Sequence, residues 1–421
     1  MTKVLYRVLT MLSLVAVSSF ILQGCSSGDN TGVVYPGGNT PGTGTGDDDG
    51  NGDGGDDPGT IADPIDWTVD SSKDQVVLLV KRDVYSDLSA EIEQYRQDVE
   101  ENFPNVQLNI LQGAWTKPAQ VRETIKQIYD EKTLDGIVLV GNMPMHKFYM
   151  HDQENPNPLY YEDFDMVFDD DVLAKKYGSE PAPKVWVSNL RAVSNPNLKG
   201  INELKAFFKK THDYYSGALQ INRKALFIAG WEWPGGAISA SASVAQLFPD
   251  GNDRVVYTYE GGADPGTEST GATITNYKSA FEQNWTLFYI QVHSFPKGHD
   301  FDNGGHISST EVGQMTTSSV ITINHGCSGG NYLGANPDIN LTQAYVFSEG
   351  VGQCALGQVR TGMVYGHEKV YERLCTGDYM GKAYFECKKA AEAEMYSQYP
   401  DGSVIGGVIM YGNPFVKIEA E

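Results

Sequence analysis

Two places in the chain set a reactive side chain just where a strand should stop. The apolar run Thr286–Val292 ends in His293-Ser294, and the run Val320–Asn324 ends in His325-Gly326-Cys327-Ser328-Gly329-Gly330. A thiol attacks a carbonyl well only as thiolate or beside a base, and a departing amine needs a proton. One Cys and one His meet both needs. If the two runs are neighbouring parallel strands, His293 and Cys327 lie side by side past their carboxyl ends, where open α/β sheets hold ligands. Gly326, Gly329 and Gly330 let backbone approach a substrate closely, and the amides of Cys327 and Ser294 can face an oxyanion. The bland alternative is a small buried Cys327 and an interior His293.

Other chemistries fit the same residues less well. Gly326-Cys327-Ser328-Gly329-Gly330 satisfies Gly-x-Ser-x-Gly, the nucleophile elbow of serine esterases, with His367 as a candidate base. An elbow needs a helix directly after the serine, and Gly329–Pro337 reads as loop. His293, His299, His306 and His325, with Asp300 and Asp302, form a histidine-rich stretch whose spacing matches neither a helical face nor a zinc pattern, so no metal is assigned. His299 and His306 sit among Gly298, Asn303, Gly304 and Gly305, which reads as a mobile loop over the site with a role in substrate contact or solvent exposure.

The elements that must carry these residues are legible as apolar runs. Val76–Val80, a helical pattern over Asp87–Phe103, Val106–Leu111, a second helical stretch over Pro118–Tyr129 and Gly136–Val140 make βαβαβ with strands buried on both faces. After an irregular acid-rich stretch, Asn155–Pro183, further strands are expected near Val185–Ser188, Ala225–Ala229, Val255–Tyr259, Thr286–Val292 and Val320–Asn324. This is an α/β chain with two parallel-sheet halves or one large sheet, and Gly402–Glu421 is expected to close it with a short strand pair.

Ahead of this domain, Lys3 and Arg7 precede the apolar run Val8–Leu22, which ends in Leu22-Gln23-Gly24-Cys25. That pattern is a lipoprotein signal over residues 1–24, with Cys25 as the acylated first residue of the mature chain. Several acyl chains would hold it stably on a bilayer in the cell envelope of a bacterium, on either the periplasmic or the cell-surface face of the outer membrane. Residues 25–66 are rich in Gly and Asp and almost devoid of large apolar side chains, a flexible tether. Asp47–Gly52 opens like a calcium loop, but its closing ligand position falls on Pro58, so structural calcium stays open without being predicted and no cofactor is required. The formal charge of −23 argues against nucleic acid as a partner, since phosphate contacts need a basic footprint. Besides Cys25 there are Cys327, Cys354, Cys375 and Cys387, in no zinc or redox spacing, and some of the last three can pair as disulfides.

Several separated segments between Val76 and Ile418 resemble the gingipain-type cysteine peptidases, relatives of caspases and clostripain. Asp135–Pro144 is similar to the family's apolar strand ending in Gly-Asp-x-x-Pro. Leu159–Asp165 resembles its Tyr- and Asp-rich segment, Val185–Ala192 its next strand, and Met410-Tyr411-Gly412-Asn413-Pro414 its closing Gly-Asp-Pro. The 34 positions between His293 and Cys327 match the family's spacing. The resemblance implies a caspase/gingipain-like parallel-sheet sandwich with flanking helices over residues 67–421, in two related sub-domains, 67–190 and a catalytic 191–421. It implies Cys327 as the nucleophile of a thioester acyl-enzyme, His293 as general acid and base, Ser294 and Gly326 as the backbone of the oxyanion site, and a polypeptide substrate. Three departures stand out: His293-Ser294 where His-Gly is usual, Ser188-Asn189 in place of Gly-Arg, and Pro158 where an Asp often stands. Related enzymes take an acidic specificity residue from the Tyr-rich region. Asp163 and Asp165, with Asp169 and Asp170, are candidates for that role or a solvated acidic loop, and His325 beside Cys327 is assigned to the same pocket. The departures also leave open a chain of this fold that binds a partner without cutting it.

Overall fold

Apolar runs can be buried on both faces of a strand, and ten strands, most of them built round such a run, assemble here into one sheet. The computed structural model describes residues 62–419 apart from 196, 260–270, 303 and 336–338; the signal segment, Cys25, the tether up to residue 61 and the Asp47–Gly52 loop lie outside the described residues, while the tether's last residues lie along the domain, Ala62 bridged to Gly113 and Asp63 paired with Arg82. The sheet strands in chain order are β1 Asp74–Lys81, β2 Val106–Gly113, β3 Gly136–Val140, β4 Trp186–Leu190, β5 Asn222–Ala229, β6 Arg254–Tyr257, β7 Trp285–Gln291, β8 Ser319–Asn324, β9 Cys354–Gln358 and β10 Val408–Gly412. Their spatial order is β2-β1-β3-β4-β10-β9-β8-β7-β5-β6, and every neighbouring pair is parallel except β9 with β10. The sheet is therefore two five-stranded parallel halves running in opposite directions. Their carboxyl ends open at opposite edges.

Helices cover the sheet through one apolar stripe each. In the helix Arg82–Asn102, Val84, Leu88, Ile92, Tyr95 and Val99 recur at helical spacing and are all buried. In Pro118–Lys132, Pro118 opens the first turn and Val121, Ile125 and Ile128 face inward. The acid-rich stretch is more ordered than its composition suggests. Lys147–Met150 pairs with Gln153–Pro156 and Leu173–Ala174, and Leu159–Glu162 is a short helix. His146 stacks on Tyr160 at 3.9 Å, while the guanidinium of Arg122 lies 4.4 Å from the Tyr160 ring.

The segment after Gly402 differs from expectation. It supplies one strand, β10, which inserts beside β4 at the centre of the sheet, so the N-terminal half is completed by residues more than two hundred positions away. Ser188 Oγ donates to the Gly412 carbonyl, 224 positions on, at 2.6 Å, and Asn189 Nδ2 to Met410 at 3.2 Å. The two departures from Gly-Arg are thus buried ties across the seam between β4 and β10. Beneath it Lys388 is 1 % exposed, with Nζ 3.2 Å from Glu162 and 3.1 Å from Glu392, both fully buried carboxylates. No helix among the described residues is long and apolar enough to cross a membrane.

Candidate functional site

β7 and β8 are neighbours, with Ile290 opposite Asn324. Three residues past those partners stand His293 and Cys327, on adjacent strand ends at the carboxyl edge of the second half. The His325 amide continues the strand ladder onto the Ile290 carbonyl at 2.8 Å. Gly326 then passes against Ser294 so closely that a Cβ there would fall 1.9 Å from Ser294 Oγ. Only glycine allows this approach. The sequence-derived neighbourhood of His293, Ser294, Gly326 and Cys327 is what the fold assembles.

Two further strand ends and the hairpin after β7 meet this pair. Past β5, Glu232 Oε2 lies 3.5 Å from His293 Nε2, and the Trp233 ring meets the imidazole edge-on at 5.0 Å. Past β7, Asp302 on the following hairpin accepts the Trp231 amide at 2.8 Å; its carboxyl is pushed up by burial and held down by that bond and by His293. Past β9, the Gly362 N–H points at Cys327 Sγ at 3.4 Å, and Gly362 holds φ +127°, a conformation L side chains rarely adopt. A backbone donor on sulfur favours the thiolate. Glu232 and Gly362 were not singled out from sequence, and Asp302 was named only within the histidine-rich stretch weighed for a metal. A Trp-Glu-Trp in a loop carries no periodic signal, and only β5 beside β7 brings it to His293.

The outer residues of the expected pocket are placed differently. His325 is 2 % exposed, packed edge-on against His367 at 4.4 Å, and burial drives its imidazole well below the usual range. It packs into the core between Tyr289 and His367, whereas Cys327, beyond the turn at Gly326, is only partly covered. Asp163 is buried and accepts the amides of Asp165, Met166 and Ala182, so its carboxylate holds a loop together. Asp165 is mostly exposed and pairs with Lys184 at 3.3 Å. The expected mobile loop is a three-stranded sheet, His293–Phe295, Gly298–Asp300 and His306–Ser308. His299 on it is fully buried, while His306 is exposed, stacks on Phe295 at 5.6 Å and bonds Asp300 at 2.9 Å.

Ser328 has φ +51° and is 7 % exposed, its amide bonded to the Arg360 carbonyl at 2.9 Å. Among the described residues after it the chain makes turns, with no helix before Leu341–Phe347, so the serine elbow lacks the element that would present it. Among the described residues no disulfide forms. Cys354 and Cys387 are buried in β9 and in the helix Met380–Gln398, where burial pushes both thiols far up, and Cys375 is partly covered. Nor do three His, Cys, Asp or Glu side chains converge on a metal position among the described residues. A scan of the sequence against protein-family models and a search of curated proteins both find no match.

Proposed function

We propose that the chain is an exported, lipid-anchored cysteine peptidase of the gingipain type, with Cys327 as nucleophile and His293 as general acid and base. The observation that carries this reading is the contact of Gly326 with Ser294, which holds two strand ends together, with a carboxylate behind the histidine and a backbone N–H on the sulfur. Glu232 at Nε2 leaves Nδ1 of His293 to the thiol side and stabilises the imidazolium that forms when the thiol gives up its proton. Sγ attacks the peptide carbonyl, and the oxyanion is met by amide N–H groups of Cys327 and Ser294. The two-residue turn Pro296-Lys297 closes the hairpin at Phe295 opposite Gly298, so the alternation of an antiparallel ladder directs the Ser294 N–H away from its hairpin partner. Collapse of the tetrahedral adduct expels the amine with the proton from His293. Water then hydrolyses the thioester by the reverse proton path.

The test is intact-mass analysis after treatment with peptidyl acyloxymethyl ketones varied at P1. Wild type and Ser328→Ala should gain one adduct, Cys327→Ala none, and His293→Ala should react at least about a hundredfold more slowly. Cys354 and Cys387 should stay unmodified under native conditions. If Cys327 reacts no faster than Cys375 and peptide libraries remain uncut, the chain is a binding protein on this fold instead.

A further inference from the structure

The side chain that replaces the family's usual glycine after the histidine is not idle. Ser294 turns inward, on the opposite face of its strand from His293 and Phe295. Its Oγ lies 3.0 Å from the Val292 carbonyl and 2.7 Å from His299 Nδ1. His299 Nε2 lies 3.0 Å from the Tyr345 hydroxyl, which lies 2.9 Å from the Tyr277 hydroxyl. The four groups come from the strand after β7, its hairpin, the helix Leu341–Phe347 and the helix Ile274–Ala280. All four are at most 9 % exposed, so none can turn to water instead.

One proton arrangement satisfies the whole row. A carbonyl only accepts, so the Ser294 O–H goes to Val292 and Oγ must accept from His299 Nδ1–H. The neutral ring then offers Nε2 as acceptor to the Tyr345 O–H, whose oxygen accepts from Tyr277. Reversing the row would leave the Val292 carbonyl without its donor. We propose that Tyr277, Tyr345 and His299 form a one-way hydrogen-bond row that pins Ser294. Through Ser294 it sets both the oxyanion N–H and, by the contact with Gly326, the position of Cys327. His299 and Tyr345 are thus positioning residues for the thioester chemistry, and this role rests on the cysteine-peptidase reading. Burial agrees, holding the imidazole neutral with its pKa lowered to about 3.

Two measurements decide it on the full chain. In 15N-histidine NMR, His299 should be the Nδ1–H tautomer and stay neutral at pH 5; an Nε2–H tautomer or a protonated ring overturns the row whatever the activity. In ketone inactivation kinetics, His299→Phe should lower kinact roughly tenfold to a hundredfold with KI within about twofold, since a misplaced reacting group costs rate and not binding. His299→Asn, which keeps a donor at the Nδ1 position, should recover most of the loss. In a Ser294→Gly background, where no side chain needs pinning, His299→Phe should cost less than about threefold. An equal loss in both backgrounds, or a loss that merely follows the melting temperature, overturns the positioning role. If wild type itself fails to label at Cys327, the peptidase reading and the catalytic role fall together, while the NMR result still reports on the row.

Discussion

Glu232 illustrates how a single side chain acquires a role through its neighbours. At 3.5 Å from His293 Nε2, with both side chains about one-third exposed or more, its attraction to an imidazolium is partly screened by water. Glu232→Gln should therefore slow acylation of Cys327 by roughly tenfold, well short of the loss in His293→Ala. Stopped-flow inactivation kinetics would test this; an unchanged rate would rule out coupling of this carboxylate to the histidine. That His293 and Cys327 stand on neighbouring strand ends was legible in the sequence, because both residues succeed unmistakable apolar strands. Glu232 was not, and neither was the burial of His299. Its flanking Gly298, Asn303 and Gly304 have loop composition, while its partners Tyr277 and Tyr345 are remote in sequence.

At the scale of elements, the site consists of loops at the ends of β5, β7, β8 and β9, and its accuracy is that of the spacing between strands. Gly326 is the tightest point. Gly326→Ala would drive a methyl group into Ser294, so the loop must move; the expected cost is about 1 to 3 kcal/mol in urea denaturation, with labelling of Cys327 reduced far more than stability alone explains. A variant with wild-type labelling would show that the contact does not align the pair. The same scale explains what reading the chain could and could not deliver. β1, β3, β5, β7 and β8 are runs of Val, Ile, Leu and Phe buried on both faces, and periodicity finds them. β9, Cys-Ala-Leu-Gly-Gln, has only one large apolar residue and is a strand because β8 and β10 flank it. Local pattern cannot state that.

The whole molecule carries its own pH dependence. Burial holds His146 neutral, with its pKa lowered to about 4, and His299 lower still at about 3; His325 and His367 are displaced the same way. Below about pH 6.5 the unfolded chain takes up protons that these folded rings refuse, so stability is full above that pH and is lost as pH falls towards 4. His146 and His299 account for something on the order of 3 to 5 kcal/mol each. Glu162 acts in reverse, since desolvation raises it to about 7 and its contribution weakens as pH climbs from 4.5 to 7. Asp135, Asp163, Asp302 and Glu394 are raised by burial in the same sense but less far, and the four buried rings outweigh these carboxyls. Denaturant titrations should thus lose several kcal/mol between pH 7 and pH 4.5; a flat or rising stability over that interval would mean the histidines are not buried as described.

The seam at β10 has a bearing on when the site can work. Strands β5 to β9 come one after another in the chain and can assemble as soon as they are made, but β4 and β9 are left with bare edges until β10 slides between them as a bolt. The turn after Cys327 rests on that bolt, for Tyr411 donates its hydroxyl to the Gly330 carbonyl at 2.7 Å and Ile409 packs under Gly330. On the peptidase reading proposed above, a chain that stops short of Val408 would hold the thiol and the imidazole without the support for the turn after Cys327, and its labelling at Cys327 should be lost until that last strand is in place.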